Sequence, residues 1–234
     1  MGTRFHIPRR AMGAGYAGCF CLLLCVAAHA GDLDNFYVGA NFGRELNSYN
    51  TGSLDQQFEA EAIASGEGLD IKSRSVHRFV DVWWGDAGYY FTPYVALDAA
   101  YFHLGEFRYK TTGRLNVGGT EYATSSSMEL TSGGPAVSLL GRLPLTDSFE
   151  ANLRVGDYIG KTVFYDQFNV LSQSSVVSSS KTTSSLLVGA GAAYTFAGHW
   201  SVRIDYLRVN KTGDSSLGGK YSINLATAGV SFTF

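Results

Sequence analysis

Beyond residue 30 the chain has no cysteine. Cys19, Cys21 and Cys25 all lie in a stretch built like a secretory signal: Arg4, Arg9 and Arg10 make a basic start, and the apolar run Ala11 to Ala28 contains "CFCLLLCVAA". Ala28-His29-Ala30 then offers small residues at the spacing a signal peptidase reads. We read residues 1–30 as a cleaved signal peptide and residues 31–234 as the exported protein. The apolar run is short for an uncleaved anchor. A lipoprotein is disfavoured because Leu24 precedes Cys25, and Tyr16-Ala17-Gly18-Cys19 lies too early. The exported chain then has no thiol to form a disulfide, ligate zinc or attack a substrate, which removes disulfide scaffolds and cysteine enzymes.

An excess of positive charge is also missing. Loss of the signal takes three of 18 basic residues and none of the 20 acids, leaving 15 against 20 and a net charge of −5. That argues against nucleic acid as a partner. No stretch of residues 31–234 approaches the roughly 18 uncharged apolar residues of a transmembrane helix. What is abundant is Tyr (14), Phe (15) and Gly (28), and with them a two-residue alternation that reads as strands.

Eight segments alternate. "NFYVGANFGR" sets Phe36, Val38, Ala40 and Phe42 against Tyr37, Gly39, Asn41 and Gly43. "HRFVDVWWGDAGYYF" sets Trp83, Gly85, Ala87 and Tyr89 against Val82, Trp84, Asp86, Gly88 and Tyr90, and "YVALDAAYFHLG" sets Val95, Leu97, Ala99 and Tyr101 against Ala96, Asp98, Ala100 and Phe102. The same division runs through "PAVSLLGRL", "FEANLRVGDYIGK", "LLVGAGAAYTF", "WSVRIDYLR" and the terminal "AGVSFTF", which ends on Val230, Phe232 and Phe234. Connections alternate too. They are short at Thr92-Pro93, 144–148 and 197–199, and long at about 45–75, 106–134, 162–184 and 209–220, where Ser, Thr, Gly and Asn dominate. This is the pattern of an up-and-down antiparallel meander.

A soluble sandwich or lipocalin-like barrel would turn the apolar rows inward, whereas a membrane barrel turns them to lipid. The charges favour the second. Asp86, Asp98, Arg154, Arg203 and Asp205, the mid-segment charges, all fall on the second face, and the first face carries charge only toward the long connections, as at Asp81 and Asp157. A charge at mid-bilayer costs a few kcal/mol, so a lipid face has to be this clean. Glycines on the second face leave room for bulky neighbours in a narrow lumen. Aromatics crowd the ends of the apolar rows, as at the two interfaces of a bilayer. We therefore expect an all-β, eight-stranded antiparallel transmembrane β-barrel.

The stretches "GYYFTPYVALDAAYFHLGEF", "GRLPLTDSFEANLRVGDY", "GAGAAYTFAGHWSVRIDYLR" and "GVSFTF" resemble the eight-stranded outer-membrane barrels related to the OmpA transmembrane domain, and the likeness covers nearly all of residues 33–234 except the long connections. The resemblance implies a bacterial outer-membrane location among lipid and lipopolysaccharide. It also implies that Phe232 and Phe234, on the last strand, are read by the barrel-assembly machinery. OmpA continues into a peptidoglycan-binding domain that this sequence does not contain, so a cell-wall tether is not expected.

For function, eight strands enclose a lumen just wide enough for side chains. We expect Arg154 and Arg203 to pair with Asp86, Asp98 and Asp205 as a polar plug, since unpaired charges there would be costly. This leaves a structural or surface-interaction role through the outer connections. The alternatives are a small or gated pore, with the ion pairs as its gate, and a lipid A-modifying enzyme. Hydrolases of the last kind use a His-x-Ser pair with an acid. The His-x-Ser here, His199-Trp200-Ser201, sits at a short turn on the wrong side, and pairing about Thr92-Pro93 sets His103 opposite Val82, away from His77. No catalytic residue, cofactor or metal site is expected, and a monomer is. In the first long connection, "SLDQQFEAEAIASGEG" (53–68) has capping-box spacing at Ser53 and Gln56 and an apolar stripe of Leu54, Phe58 and Ala62, which predicts a short helix that covers the mouth or binds a surface ligand. "SQSSVVSSSKTTSS" reads as a low-complexity mobile loop.

Overall fold

Strict alternation gives each segment one face for hydrocarbon and one for a polar interior, and closing the segments on themselves satisfies every backbone group without leaving a bare edge in the membrane. The computed structural model describes residues 35–46, 68–76, 80–117, 119–170, 173–214 and 219–234. It contains β1 (Phe36–Glu45), β2 (Gly68–Val76), β3 (Asp81–Thr92), β4 (Val95–Val117), β5 (Thr120–Pro144), β6 (Phe149–Val170), β7 (Gln173–Phe196), β8 (Trp200–Asp214) and β9 (Gly219–Thr233). The signal peptide, His77 and the helix expected from residue 53 lie outside the described residues, apart from Gly68, which opens β2.

Eight strands, β1 and β3 to β9, pair antiparallel in a ring, with β4 on β5 and β9 back on β1. The seam runs from Tyr37 opposite Thr233 to Glu45 opposite Leu225. The barrel is thus the all-β, eight-stranded cylinder read from the alternation. Its faces follow the charges: outward Leu153 and Ile204 are 68% and 64% exposed, whereas inward Trp84, Asp98 and Tyr158 are at most 1% exposed. The short turns Pro93–Tyr94, 145–148 and 197–199 lie at one end, with Phe234 beside them.

At the other end the described residues of the segments expected as loops are almost all strand. β4 and β5 continue as a ribbon from Glu106 opposite Thr131 to Val117 opposite Thr120, about 40 Å of extension at a strand's rise per residue. β6 and β7 stay paired from Thr162 opposite Lys181 to Val170 opposite Gln173, and β8 and β9 reach Asp214 and Gly219. β2 adds to the outer half of β4, so β2-β4-β5-β6-β7 form a five-stranded sheet standing on one side of the mouth. The reason is that Ser and Thr, which by composition suggest loops, fit an exposed ladder well when a partner strand is adjacent. At the base of this sheet Val80, Phe107, Tyr109 and Met128 form a second apolar cluster with Leu130 and Phe164.

Two irregularities set the register. Gly105 (φ 73°) sits in a bulge between His103 and Glu106, which shifts the inward positions from Phe102 and Leu104 to Phe107 and Tyr109. A Cβ there would come within 2.1 Å of Val80 Cγ1, and only glycine accepts that φ easily. A second bulge between Tyr90 and Thr92 moves the β3–β4 register by one residue. The turn itself is Pro93–Tyr94, one residue later than the expected Thr92-Pro93, and with the bulge this sets His103 opposite Trp83, the rings stacked at 5.5 Å, and not opposite Val82.

Candidate functional site: a charged plug in the lumen

Each of the five charged lumen residues stands across from a glycine: Asp86 from Gly39, Asp98 from Gly88, Arg154 from Gly189, Arg203 from Gly229 and Asp205 from Gly191. At two of these the pairing is steric. A Cβ on Gly39 would lie 2.6 Å from Asp86 Oδ1 and 2.7 Å from Arg203 Nη2, and one on Gly191 would lie 2.3 Å from Asp205 Oδ1. Gly88, Gly189 and Gly229 instead make room for Tyr37, Leu207 and Asn41.

Asp86 is the hub. Arg203 Nη2 donates to its Oδ1, and Arg154 Nη2 lies 3.5 Å from its Oδ2. Arg154 also donates through Nη1 to Asp98 Oδ1 and to Ser138 Oγ (3.2 Å). Asp98 accepts further from the Tyr37 hydroxyl (2.5 Å) and from Ser138 Oγ (3.1 Å). Arg203 Nε donates to Asn41 Oδ1 at 2.8 Å and lies 3.7 Å from Asp205 Oδ2. The five side chains named from the sequence are therefore brought together, three carboxylates around two guanidiniums, all with at most 6% side-chain exposure.

Both guanidiniums lie over the Trp84 ring, at 4.8 Å for Arg154 and 4.7 Å for Arg203, so the indole face adds cation–π attraction in a buried site. Trp84 stacks on Phe102 at 5.1 Å, and Phe102 meets Tyr158 edge-on at 5.9 Å. Toward the cell surface this aromatic layer continues into buried Val82, Leu104, Leu187, Leu207, Val209, Ile223 and Leu225. Two unlike layers, one charged and one apolar, thus fill this part of the lumen. On the short-turn side, a cavity of about 160 Å³ is lined by Arg154, Arg203 and Asp205 of the plug itself and by polar groups including Arg142, Glu150 and Ser201. That volume holds a few waters at roughly 30 Å³ each.

Sequence reasoning missed Asn41 and Ser138 as partners. Both stand on the inward rows, and that position was the available signal. It also drew nothing from the inward leucines Leu187 and Leu207, which make the apolar seal.

Other candidates are placed elsewhere. His199 Nδ1 donates to the Thr233 carbonyl at 2.8 Å and its ring stacks on Phe232, while Ser201 Oγ bonds Thr195 Oγ1 at 2.8 Å; the two contacts fasten the turn end of β7, β8 and β9. Phe234 N–H donates to Phe36 O at 2.9 Å. The rings of Phe36, Phe234, Phe232 and Trp200 then pack in succession at 5.0–5.8 Å. Among the described residues, no group of three or more His, Cys, Asp or Glu could hold a metal ion.

A ring of strands with an apolar outside, mid-strand charge confined to a filled inside and its short turns at one end defines a β-barrel of the bacterial outer membrane. The family model for the OmpA-like transmembrane domain matches residues 32–234, and the chain belongs to that family. No curated protein matches the sequence. Among solved structures it is similar to Neisserial surface protein A, at 14% identity and a TM-score of 0.44, covering 85% of this chain and 97% of that one. It is similar also to Ail, the attachment invasion locus protein of Yersinia pestis (10%, TM-score 0.39, 86% and 99%), and to the outer membrane protease OmpT of Escherichia coli (13%, TM-score 0.42, 88% and 99%).

Proposed function

We propose that the barrel is a sealed, non-enzymatic anchor and that the protein works at the cell surface, by contact, through the five-stranded sheet that rises from its mouth. The observation that carries this reading is the contrast between the two ends of the molecule. The lumen is filled by ion pairs and an apolar layer, whereas the strands beyond Glu106 present exposed side chains on a long, hydrogen-bonded support. Binding groups gain from being held on such a scaffold. Arg108, between Glu106 (2.5 Å) and Glu129 (2.9 Å), and Arg114, 2.7 Å from Glu121, give this surface both signs of charge; Glu106 first and then Glu129 hold the Arg108 guanidinium above its ordinary pKa. Exposed pairs of this kind add little stability, so they are free to serve recognition.

Attachment of whole cells tests this. Cells displaying the full chain should bind protein-coated surfaces several-fold better than cells in which the ribbons above Glu106–Thr131 and Thr162–Lys181 are replaced by short turns, with both barrels showing the same heat-dependent mobility shift. Equal attachment by the trimmed barrel would overturn the proposal. Insertion into the membrane would on this reading proceed through the barrel-assembly machinery recognising Phe232 and Phe234, with a monomer as the working unit.

A further inference from the structure

The plug is not electrically balanced. Asp86, Asp98 and Asp205 stand against Arg154 and Arg203, and the Arg142–Glu150 pair beside them adds one charge of each sign. Four carboxylates thus face three guanidiniums, and 3 − 4 leaves one negative charge in this part of the barrel. Buried charge of that kind is costly unless something compensates it. The shortfall falls on Asp205. Arg203 donates to Asp86 and Asn41, and Arg154 donates to Asp98 and Ser138. Asp205 is left with Arg203 Nε at 3.7 Å, too long for a hydrogen bond. Its side chain is 4% exposed, and its Oδ2 accepts no hydrogen bond among the described residues.

Beside that carboxylate the strands leave room. On β7 the inward residues are only Gly191 and Ala193, with Asn152 and Glu150 next to them on β6 and Asp205 and Arg203 on β8. Over Gly191 the Asp205 carboxylate and the Asn152 carboxamide come together, 2.3 and 2.9 Å from where a Cβ would stand. Over Ala193, one step toward the turns, the cavity of about 160 Å³ opens, and Asp205, Asn152, Glu150 and Ser201 all bring side-chain oxygens to its wall. Arg142, Arg154 and Arg203 border it as well, but Arg142 is held by Glu150, and the other two donate as described to groups of the plug. Arg154 Nε, also without a partner among the described residues, calls for a water in the same space. Oxygen donors around one uncompensated carboxylate suit a hard cation of single charge, and a divalent ion would overshoot the balance. Such an ion does not need a cluster of three acidic, histidine or cysteine ligands. The volume admits it with a few waters of its shell. The wall of the cavity reaches Gly198 and Thr233 at the short turns, so the site is entered from the periplasmic side.

We propose that this cavity is a binding site for one monovalent alkali cation, sodium or potassium, held by Asp205 with oxygens of Asn152, Glu150 and Ser201, and that the bound ion neutralises the plug. It is a dead-end site and not a conduction path, because the apolar layer stands between it and the cell surface. The site is independent of whatever the outer sheet binds.

Sodium NMR of the full chain in a neutral detergent, with choline as the starting cation and sodium chloride as the titrant, is the test. Line broadening should report one saturable sodium site per chain, competed by potassium chloride. Asp205→Asn keeps the shape and removes the charge, and should weaken sodium binding about tenfold or more. Asp157→Asn removes a carboxylate on the exposed face and should leave binding unchanged. Sodium chloride should also raise the urea midpoint of the wild-type barrel above its value in equal choline chloride, as a ligand of the folded state does, and should not do so for Asp205→Asn. A heat-dependent mobility shift reports that each variant is folded. Absence of a saturable site, equal binding by Asp205→Asn, or loss of binding in Asp157→Asn would each overturn the assignment. So would a carboxylic-acid stretch in the infrared spectrum that persists in sodium and disappears in Asp205→Asn, since a proton would then balance the plug.

Discussion

Asp86→Ala should lower the free energy of unfolding by about 3–5 kcal/mol, the usual cost of removing one partner from a buried ion pair. Asp86 is the carboxylate that contacts both arginines, so its loss leaves Arg203 buried with Asn41 and only a distant Asp205, while Arg154 keeps Asp98. The penalty comes from leaving a buried guanidinium without its carboxylate: the apolar layer above Trp84 bars relief from the surface side, and on the other side only a cavity for a few waters lies against Arg203. Urea unfolding of the barrel in lipid vesicles, read by the heat-dependent mobility shift, gives the number. Asp157→Ala makes the comparison: that carboxylate accepts from Ser184 Oγ at 2.7 Å on the exposed face, and its removal should cost under about 1 kcal/mol. A loss of under about 1 kcal/mol for Asp86→Ala would mean that the lumen is wet and the pairs are solvated.

Leu153→Arg is expected to cost about 2–4 kcal/mol in the same assay, the range for a cation near the midplane of a bilayer. The next residue, Arg154, is already an arginine and is tolerated because it points the other way. These neighbours differ in exposure between 68% and 4%, and in what surrounds them: lipid for one, carboxylates for the other. If Leu153→Arg were neutral, the apolar rows would not face hydrocarbon and the barrel would be inside out.

That same contrast explains how much of the fold was legible. A lipid face permits no charge at mid-depth, so parity could be read from Leu153-Arg154 or Leu97-Asp98 without knowing any neighbour. The five lumen charges were found this way. Which charge meets which was not legible, because it depends on the stagger of all eight strands, and that stagger is set partly by bulges at Gly105 and before Thr92 whose sequence signature is a single residue. Asn41 and Ser138 went unassigned for the same reason. The outer sheet was lost to composition: "SSVVSSSKTTSS" has no apolar alternation to reveal a strand, and its pairing comes from β6 lying alongside. Residues with weak preferences of their own take the structure their neighbours impose.

The account rests on a lumen sealed by the plug and by the leucine-rich layer above it. Single-channel recording of the purified full chain in planar bilayers measures that directly. The expected trace is flat, without resolved steps at any applied voltage up to the point of membrane rupture. Steady, reproducible conductance steps from the wild-type chain would contradict the sealed anchor and establish a continuous path past Asp86, Arg154 and Arg203.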